Sequence, residues 1–412
     1  MPLSFPPPAL RHRKYRMLWF GQLVSIAGTQ MQFAAILWHV NELTGQPIAL
    51  GGVGLARLIP VVVFSLVAGA LADVVNRRRL MLVTQTLLTL LAALLGWLTM
   101  TGRDSVWAIY AITAAGAAVS AFDLPARQSI IPNLVPREHL TNAFSLGSIA
   151  FQTGAILGPA IGGWILAGPG IAWVYWINAA SFLAVIAALI RMGPIPQEVD
   201  RSSNAGVSRK AIGEGLRFIR NQPIVLSSML LDFFATFFSS ATALLPIFAK
   251  DILRVGAVGY GWLVSAQAVG AGSMALVLAF VGQVRRQGRV LLGAVALFGA
   301  ATVVFGLSRS FWWTFAALVV AGASDNVSTI IRNTVRQIRT PDFLRGRVIS
   351  VTQIFFMGGP QLGELEAGLV AQWLGAPLSV ITGGLGCLVA VAWVARRWPQ
   401  MWNYKGDEPV EA

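Results

Sequence analysis

The sequence predicts an all-α membrane protein with twelve transmembrane helices arranged as two bundles of six. The chain has 412 residues, of which 56% are hydrophobic and only 12% are charged, and its mean hydropathy is +0.67. Soluble domains are about 45–50% apolar and about a quarter charged. Too little charge remains to cover a surface of this size in water, so the composition excludes a soluble enzyme.

Apolar runs give twelve segments of the length that a membrane-spanning helix needs, about 20 residues. The longest polar interruption, residues 193–222, follows the sixth segment. It divides the chain into an N-terminal six-helix bundle (1–192), a cytoplasmic linker (193–222) and a C-terminal six-helix bundle with a cytoplasmic tail (223–412). Within the linker, residues 208–220 have the pattern of a short amphipathic helix on the membrane surface. The predicted spans are 17–41, 48–72, 80–100, 106–124, 141–167, 171–191, 223–249, 258–282, 289–307, 311–331, 347–372 and 377–397.

The distribution of Lys and Arg predicts the orientation of these spans. With a cytoplasmic N-terminus, the inner segments carry 26 of these residues and the outer segments four, while Arg57 lies inside a span. Cytoplasmic loops are enriched in Lys and Arg. Both termini are therefore expected in the cytoplasm, and the chain in the cytoplasmic (inner) membrane as a multi-pass protein.

The two halves of the chain repeat each other. Asp123 ends the fourth span as Asp325 lies near the end of the tenth, and Pro136 and Pro341 precede the fifth and eleventh spans, at an offset of about 202 to 210 residues. Parallel repeats of this kind hold their substrate near the bilayer midplane between the repeats. The repeat therefore indicates a transporter that works by alternating access.

The excess of positive charge, 31 Lys and Arg against 17 Asp and Glu, occurs in short clusters between apolar runs. Such clusters are typical of topology signals and not of the basic face of a nucleic-acid-binding domain. The sequence contains no phosphate-binding loop, zinc-ligand spacing or nucleophile–base set. We expect no enzyme, no metal and no cofactor beyond a proton gradient. The expected partners are a small-molecule substrate and the lipid bilayer, for a protein that acts as a monomer.

The loop after the second span reads Gly-Ala-Leu-Ala-Asp-Val-Val-Asn-Arg-Arg over residues 69–78. It resembles the signature loop of the major facilitator superfamily, Gly-x-Leu-Ala-Asp-Arg-x-Gly-Arg-Lys, from which it departs at its sixth and eighth residues. The resemblance implies a cytoplasmic gate in which acids and bases pair between helix ends. A plain positive-inside loop would explain the arginines alone. The gate residues expected from the resemblance are Gly69, Asp73, Arg77, Arg78 and Asp123.

The fifth span carries Gly154, Gly158, Pro159, Gly162 and Gly163. Their spacing is similar to the Gly-x-x-x-Gly-Pro-x-x-Gly-Gly pattern of antiporters in this superfamily, which implies export. Glycines four residues apart also provide a smooth surface for a neighbouring helix, and proline bends the span. The fourth span lacks the arginine of the proton-coupled drug antiporters. The chain as a whole looks more like the exporter branch that contains enterobactin and macrolide efflux proteins.

Charged residues inside spans are the strongest functional indicators, because each costs about 2.5–3.5 kcal/mol to insert. Asp232 lies in the seventh span, Arg57 in the second, and Glu364 and Glu366 in the eleventh. We expect Asp232 or Glu364 to carry the coupling proton. We also expect Arg57 and Glu364 to form an outer gate, with Glu366 as the alternative partner.

Polar and aromatic residues accompany these charges. Gln353 shares a helical face with Glu364, Thr29 and Gln32 lie on the first span, and Phe233 and Phe237 adjoin Asp232. Such a lining suits an amphiphilic, aromatic or cationic ligand, although the phenylalanines could equally pack against lipid. The sequence thus predicts a secondary active exporter of small lipophilic or amphiphilic molecules by proton antiport. A dedicated siderophore or metabolite exporter, a lipid flippase and a non-transporting membrane sensor remain as alternatives.

Overall fold

The structure is a computed structural model, and it describes residues 7–195, 209–238, 240–280 and 285–406. Within these ranges the chain is helical and contains no β-strand. The first helices are α1 (Arg13–Thr44), α2 (Pro47–Val74), α3 (Arg77–Met100), α4 (Val106–Ile130), α5 (Leu140–Ala167), α6 (Ile171–Met192) and α7 (Arg209–Asn221). The later helices are α8 (Pro223–Phe238), α9 (Leu245–Ile247), α10 (Gly256–Phe280), α11 (Gln287–Leu307), α12 (Phe311–Arg339), α13 (Asp342–Leu374), α14 (Ala376–Arg397) and α15 (Pro399–Asn403).

Eleven segments of the described chain are long and apolar enough to cross a membrane. They match eleven of the twelve predicted spans. The segment that matches the predicted span 223–249 consists of α8 and the short helical turns that follow it to Ile252. The remaining prediction, 347–372, falls within α13, whose 33 residues would extend for roughly 50 Å at 1.5 Å per residue. The predicted all-helical membrane architecture is confirmed.

One predicted boundary is wrong in a way that matters for the site. The tenth span was expected to end at residue 331, with Arg332 and Arg336 in a cytoplasmic loop. Instead α12 continues to Arg339, and Arg332 is only 2% exposed. A buried acid, Asp232, compensates the charge of Arg332, so the helix continues past this arginine with its guanidinium out of water.

The chain divides into two compact units. The first comprises residues Met1–Thr44 and Ile59–Gly206, and the second comprises Gly45–Leu58 and Val207–Ala412. The beginning of α2, predicted with the first bundle, therefore clusters with the second. Glycines explain this close association, since a Cβ on Gly51 would lie 3.0 Å from the Leu365 Cα, and one on Gly368 would lie 3.0 Å from the Gly51 Cα.

In the first unit, α1 packs against α5 and α6, and α3 packs against α4 and α6. Polar side chains fix the helix ends. Asn76 accepts a hydrogen bond from the Arg79 amide at the start of α3, and Ser105 accepts one from the Ala108 amide at the start of α4. The Tyr15 hydroxyl donates to the Ala143 carbonyl at 2.7 Å and ties α1 to α5.

In the second unit, α10, α11, α12 and α14 pack side by side, and α8 lies against α13 and α14. The amphipathic helix predicted in the linker is present as α7. Its Ile219 is buried among Val225, Met229 and Val348, whereas Leu216 on the same helix is exposed. The helix is therefore attached to the second unit along one side.

Candidate functional site

The best-defined charged site lies in the second unit, where α8 faces α12. Asp232 is 5% exposed, and its Oδ1 lies 2.8 Å from the Nη2 of Arg332. The angle between Nη2 and Oδ1 does not meet the geometry of a hydrogen bond, so the contact is a short-range ion pair. Two opposite charges out of water are stabilised mainly by each other, and removal of either one leaves the other uncompensated.

Residues one helical turn from Arg332 hold its guanidinium in place. Nη1 donates to the Ser328 hydroxyl at 2.7 Å, and Nη2 donates to the Thr329 hydroxyl at 2.9 Å. Asp325 places a carboxylate oxygen 3.8 Å from the same nitrogen, and its side chain is 47% exposed. The site therefore contains one buried cation between a buried acid and an accessible acid.

Phenylalanines of α8 continue from Asp232 on two faces of the helix. Phe233 and Phe237 stack with ring centroids 5.8 Å apart, and both are half-buried. Phe234 instead stacks with Phe238 and meets Trp393 of α14 edge to face. The predicted pair Phe233 and Phe237 thus follows Asp232 along α8, and the Phe233 ring faces α13 instead of α14.

Small residues let α13 approach α8 closely beside these rings. A Cβ on Gly359 would lie 3.6 Å from the Phe233 ring, and one on Gly363 would contact the Phe237 carbonyl and lie 2.8 Å from the Ser240 Cβ. The two helices are therefore in backbone contact, and a larger residue at either glycine would separate them.

Glu364 of α13 lies against the beginning of α2. It is 8% exposed, and a Cβ on Gly54 would lie 2.6 Å from its Oε2. The positive charge of Arg57, one turn further along α2, acts on this carboxylate. Arg57 and Glu364, the two residues that the sequence predicts as a pair, thus interact electrostatically, and their ion pair stays a prediction.

Two other residues of α13, Glu366 and Gln353, are also predicted to belong to the site. Glu366 is partly buried on α13, two residues beyond Glu364. The Gln353 side chain lies outside the part of the chain that the structure describes. Within the described residues, the charged contacts of Asp232 come from α12 and those of Glu364 from α2. The two acids therefore belong to separate sites.

In the first unit, the glycine motif of α5 forms the contact with α1. A Cβ on Gly154 would lie 2.7 Å from the Ile26 side chain, one on Gly158 would contact the Ala27 carbonyl, and one on Gly162 would lie 2.8 Å from Met31. Pro159 and Gly163 are buried in the same stretch. The motif keeps α1 and α5 at a distance that no larger side chain permits.

The predicted polar residues of α1 have distinct partners. Gln32 accepts a hydrogen bond from the Asn178 side chain of α6 at 2.7 Å. Thr29 donates to the Ser25 carbonyl of its own helix at 2.8 Å. Gln32 therefore joins two helices, whereas the Thr29 hydroxyl is satisfied locally.

The predicted gate residues are only partly described. Asp123 is 1% exposed and accepts hydrogen bonds from Thr84, Gln85 and Arg127 at 2.7 to 2.9 Å. Arg77 donates to the Ser129 carbonyl at 3.0 Å, and Arg78 donates to the Leu189 carbonyl at 2.8 Å. Beyond their helical backbone, Gly69 and Asp73 lie outside the part of the chain that the structure describes. These contacts join α3 to α4 and α6 within the first unit.

The sequence analysis missed Arg332, Asn178 and the Thr84–Gln85 pair. Asp325 and Arg332 are seven residues apart, two turns on one helical face, and this spacing could have indicated that α12 continues as a helix with a charged face. Asn178, the partner of Gln32, and Thr84 and Gln85, two partners of Asp123, have no such signal, because they lie far away in the sequence.

Known proteins resemble the chain over nearly its whole length. A family model described as transmembrane secretion effector matches residues 4–407. The multidrug efflux pump Tap of Mycolicibacterium fortuitum is 28% identical over 87% of this chain and 89% of its own. The enterobactin exporter EntS of Shigella boydii serotype 4 is 24% identical over 92% of this chain and 90% of its own.

A solved structure shares the fold at low sequence identity. The bacterial homologue of the human lysosomal transporter Spinster, in an inward-facing and occupied conformation, has a TM-score of 0.74 at 15% identity and covers 97% of this chain and 99% of its own. The family match confirms the resemblance that the sequence motifs indicated, and it identifies a transporter rather than an enzyme. The chain belongs to the transmembrane secretion effector family of the major facilitator superfamily.

Proposed function

We propose that the protein exports small amphiphilic molecules across the cytoplasmic membrane by alternating access, in exchange for protons. The observation that carries the proposal is the buried ion pair between Asp232 and Arg332. An ionised group inside a transmembrane bundle is costly and is a site of function by default. Among the predicted candidates we assign the coupling proton to Asp232 and the gate to Glu364.

The ion pair supports exchange because a proton and a cation compete for the same carboxylate. A proton on Asp232 removes its charge and releases Arg332 to Asp325, which lies 3.8 Å away. A cationic substrate group that reaches Asp232 favours the ionised carboxylate, so its binding expels the proton. Because proton and substrate exclude each other at one carboxylate, uptake of one is tied to release of the other.

The stacked rings of Phe233 and Phe237 support an aromatic or amphiphilic substrate. They are half-buried next to Asp232, and aromatic faces attract organic cations by about 0.5–2 kcal/mol. Export as the direction is supported by the names of the relatives, a multidrug efflux pump and an enterobactin exporter. The excess of Lys and Arg in one set of loops supports cytoplasmic termini.

We assign the gate to the contact between the beginning of α2 and α13. Arg57 and Glu364 lie in this contact, and Gly51 and Gly54 bring the backbones together. In the proposed cycle the two helices part to open the outer side, and the two charges enter water as they separate. Pairing offsets the cost of burial in the closed state.

A second candidate, a dedicated exporter of an anionic metabolite, is favoured by the second guanidinium near the site. Arg336 donates from Nε to the Arg332 carbonyl at 3.2 Å. An anion that paired with these arginines would displace Asp232 and favour its protonation. The proton and the substrate would then bind together, and transport would not be an exchange.

The test uses the purified protein in vesicles with an imposed pH gradient. We compare ethidium, an aromatic cation, with anilinonaphthalene sulfonate, an aromatic anion. The proposal expects gradient-driven accumulation of ethidium, its loss in Asp232→Asn, and retained ethidium exchange without a gradient. Glu364→Gln serves as the comparison and should keep its response to the gradient. Accumulation of the anion alone, under a pH gradient of the opposite direction, would favour the second candidate, and no response to the gradient in the wild type would refute proton exchange.

A further inference from the structure

A buried histidine lies at the opposite end of α1 from the N-terminal basic cluster. His39 is 3% exposed, and both of its ring nitrogens have partners from other parts of the first unit. Nε2 lies 2.6 Å from the Asp104 carboxylate in the α3–α4 connection, and Nδ1 lies 2.9 Å from the Tyr175 hydroxyl of α6. One imidazole thus joins three elements that are distant in the sequence.

This cluster borders an open groove. The groove has a volume of about 550 Å³, and His39, Glu42 and Asp104 contribute to its wall together with apolar residues of α5 and α6. The Asp104 side chain is 15% exposed, so protons reach the carboxylate from the groove. The imidazole lies behind this carboxylate and borders the same groove.

The titratable groups around the imidazole can be named for each element packed against it. Tyr175 faces it from α6, Asp104 from the α3–α4 connection, and Glu42 lies one turn further along α1 and accepts a hydrogen bond from Trp38 at 2.8 Å. Of the other helices that contact α1, α5 has no titratable residue in its sequence, whereas α4 has Tyr110 near its start and Asp123 and Arg127 near its end. The groups that contact the imidazole directly are Asp104 and Tyr175.

The geometry points to His39 as a proton-binding site that answers to pH in the groove, with Asp104 as its counter-charge. A neutral imidazole satisfies both contacts by donating from Nε2 to Asp104 and accepting from Tyr175 at Nδ1. An added proton occupies Nδ1, so the Tyr175 hydroxyl must turn round and accept. The step forms one N–H bond at Nδ1 and breaks one O–H bond of a hydronium ion in the groove, which is left as water.

The consequence of proton binding lies in the contact between α1 and α6. Tyr175 is fully buried, and Asn178, one turn further along α6, holds Gln32 of α1 at 2.7 Å. Reversal of the Tyr175 hydrogen bond therefore acts on the contact that also positions Gln32. The inference rests on the proposed export function only for its transport readout, because proton binding itself is measured without a substrate.

The first measurement is a direct titration. The chain has three histidines, so His12→Gln/His139→Gln leaves His39 as the only imidazole, visible by NMR with labelled histidine. We expect one titration between about pH 5 and 8, the range in which histidine changes charge. Asp104→Asn should weaken proton binding about tenfold, the effect of one lost charge-assisted contact. An imidazole signal that does not change over this range would overturn the inference.

The second measurement separates a proton site from a structural tie. His39→Gln retains a donor and an acceptor and should unfold at nearly the same temperature as the wild type. Its transport rate should lose the part of its dependence on groove-side pH that falls between about pH 5 and 8, the range of histidine, and should keep the dependence that proton exchange at Asp232 imposes. Trp38→Phe is the matched control, since it breaks a neighbouring hydrogen bond to Glu42 and should leave the pH profile unchanged. An unchanged pH profile in His39→Gln refutes the inference, whereas a wild type that ignores any pH gradient refutes the proposed proton exchange instead.

Discussion

Arg332 holds its guanidinium 2.8 Å from the Asp232 carboxylate while only 2% of the residue is exposed. Its position seven residues before the end of α12 places the pair about 10 Å from that end. Removal of either residue leaves the other as an unpaired buried charge, so single and double substitutions can test the pair.

Removal of Arg332 alone should destabilise the protein. Arg332→Gln leaves Asp232 without its cation, and loss of one partner of a buried pair costs about 3–5 kcal/mol. Asp232→Asn/Arg332→Gln removes both charges and should recover most of that stability. Unfolding of the single and double variants in detergent measures the coupling. Additive losses in the double variant would show that the two side chains do not interact.

Enlargement of Gly158 should separate α1 from α5. A Cβ at this position would contact the Ala27 carbonyl and lie 3.0 Å from the Met31 amide, and forced overpacking costs about 1–3 kcal/mol. Gly158→Ala should therefore lower the unfolding temperature. Gly147→Ala is the control on the same helix, because a Cβ there meets nothing within 4 Å. Equal behaviour of the two variants would contradict the close contact.

Reversal of one charge at the gate should impair transport. Arg57→Glu or Glu364→Arg places like charges together in the contact between α2 and α13. The double variant Arg57→Glu/Glu364→Arg restores opposite charges and should recover part of the transport rate. Uptake into vesicles measures all three. If Glu366→Arg, and not Glu364→Arg, is rescued by Arg57→Glu, then Glu366 is the partner.

Asp123 should contribute chiefly to the stability of the first unit. Its carboxylate accepts hydrogen bonds from Thr84, Gln85 and Arg127. Asp123→Asn turns one accepting oxygen into a donor that faces these donors, and we expect a loss of about 1–3 kcal/mol. Thermal unfolding checks the loss.

The gate predicted from the loop motif requires a different result for Asp73→Asn, which should reduce transport and leave the unfolding temperature unchanged.

Composition and periodicity predicted the membrane class and the positions of nearly all helices, because lipid admits only long apolar helices in such a chain. Motif spacing also indicated the tight α1–α5 contact, since glycines four residues apart on one helix are a local feature. The pairing of Asp232 with Arg332 was not predicted. A charge near a span end looks the same whether it faces water or a buried acid about a hundred residues away, and only the packing of α8 on α12 distinguishes the two.

The measurement that tests the central claim most directly is proton release on substrate binding. Purified protein in weakly buffered detergent is mixed with ethidium, and the pH change and the bound ethidium are recorded together. At a pH at which Asp232 holds its proton and Arg332 is released to Asp325, the account predicts release of about one proton for each ethidium bound by the wild type, because both compete for Asp232. It predicts no release from Asp232→Asn. Ethidium binding without proton release in the wild type, or equal release from Asp232→Asn, would contradict the assignment of the coupling proton to this carboxylate.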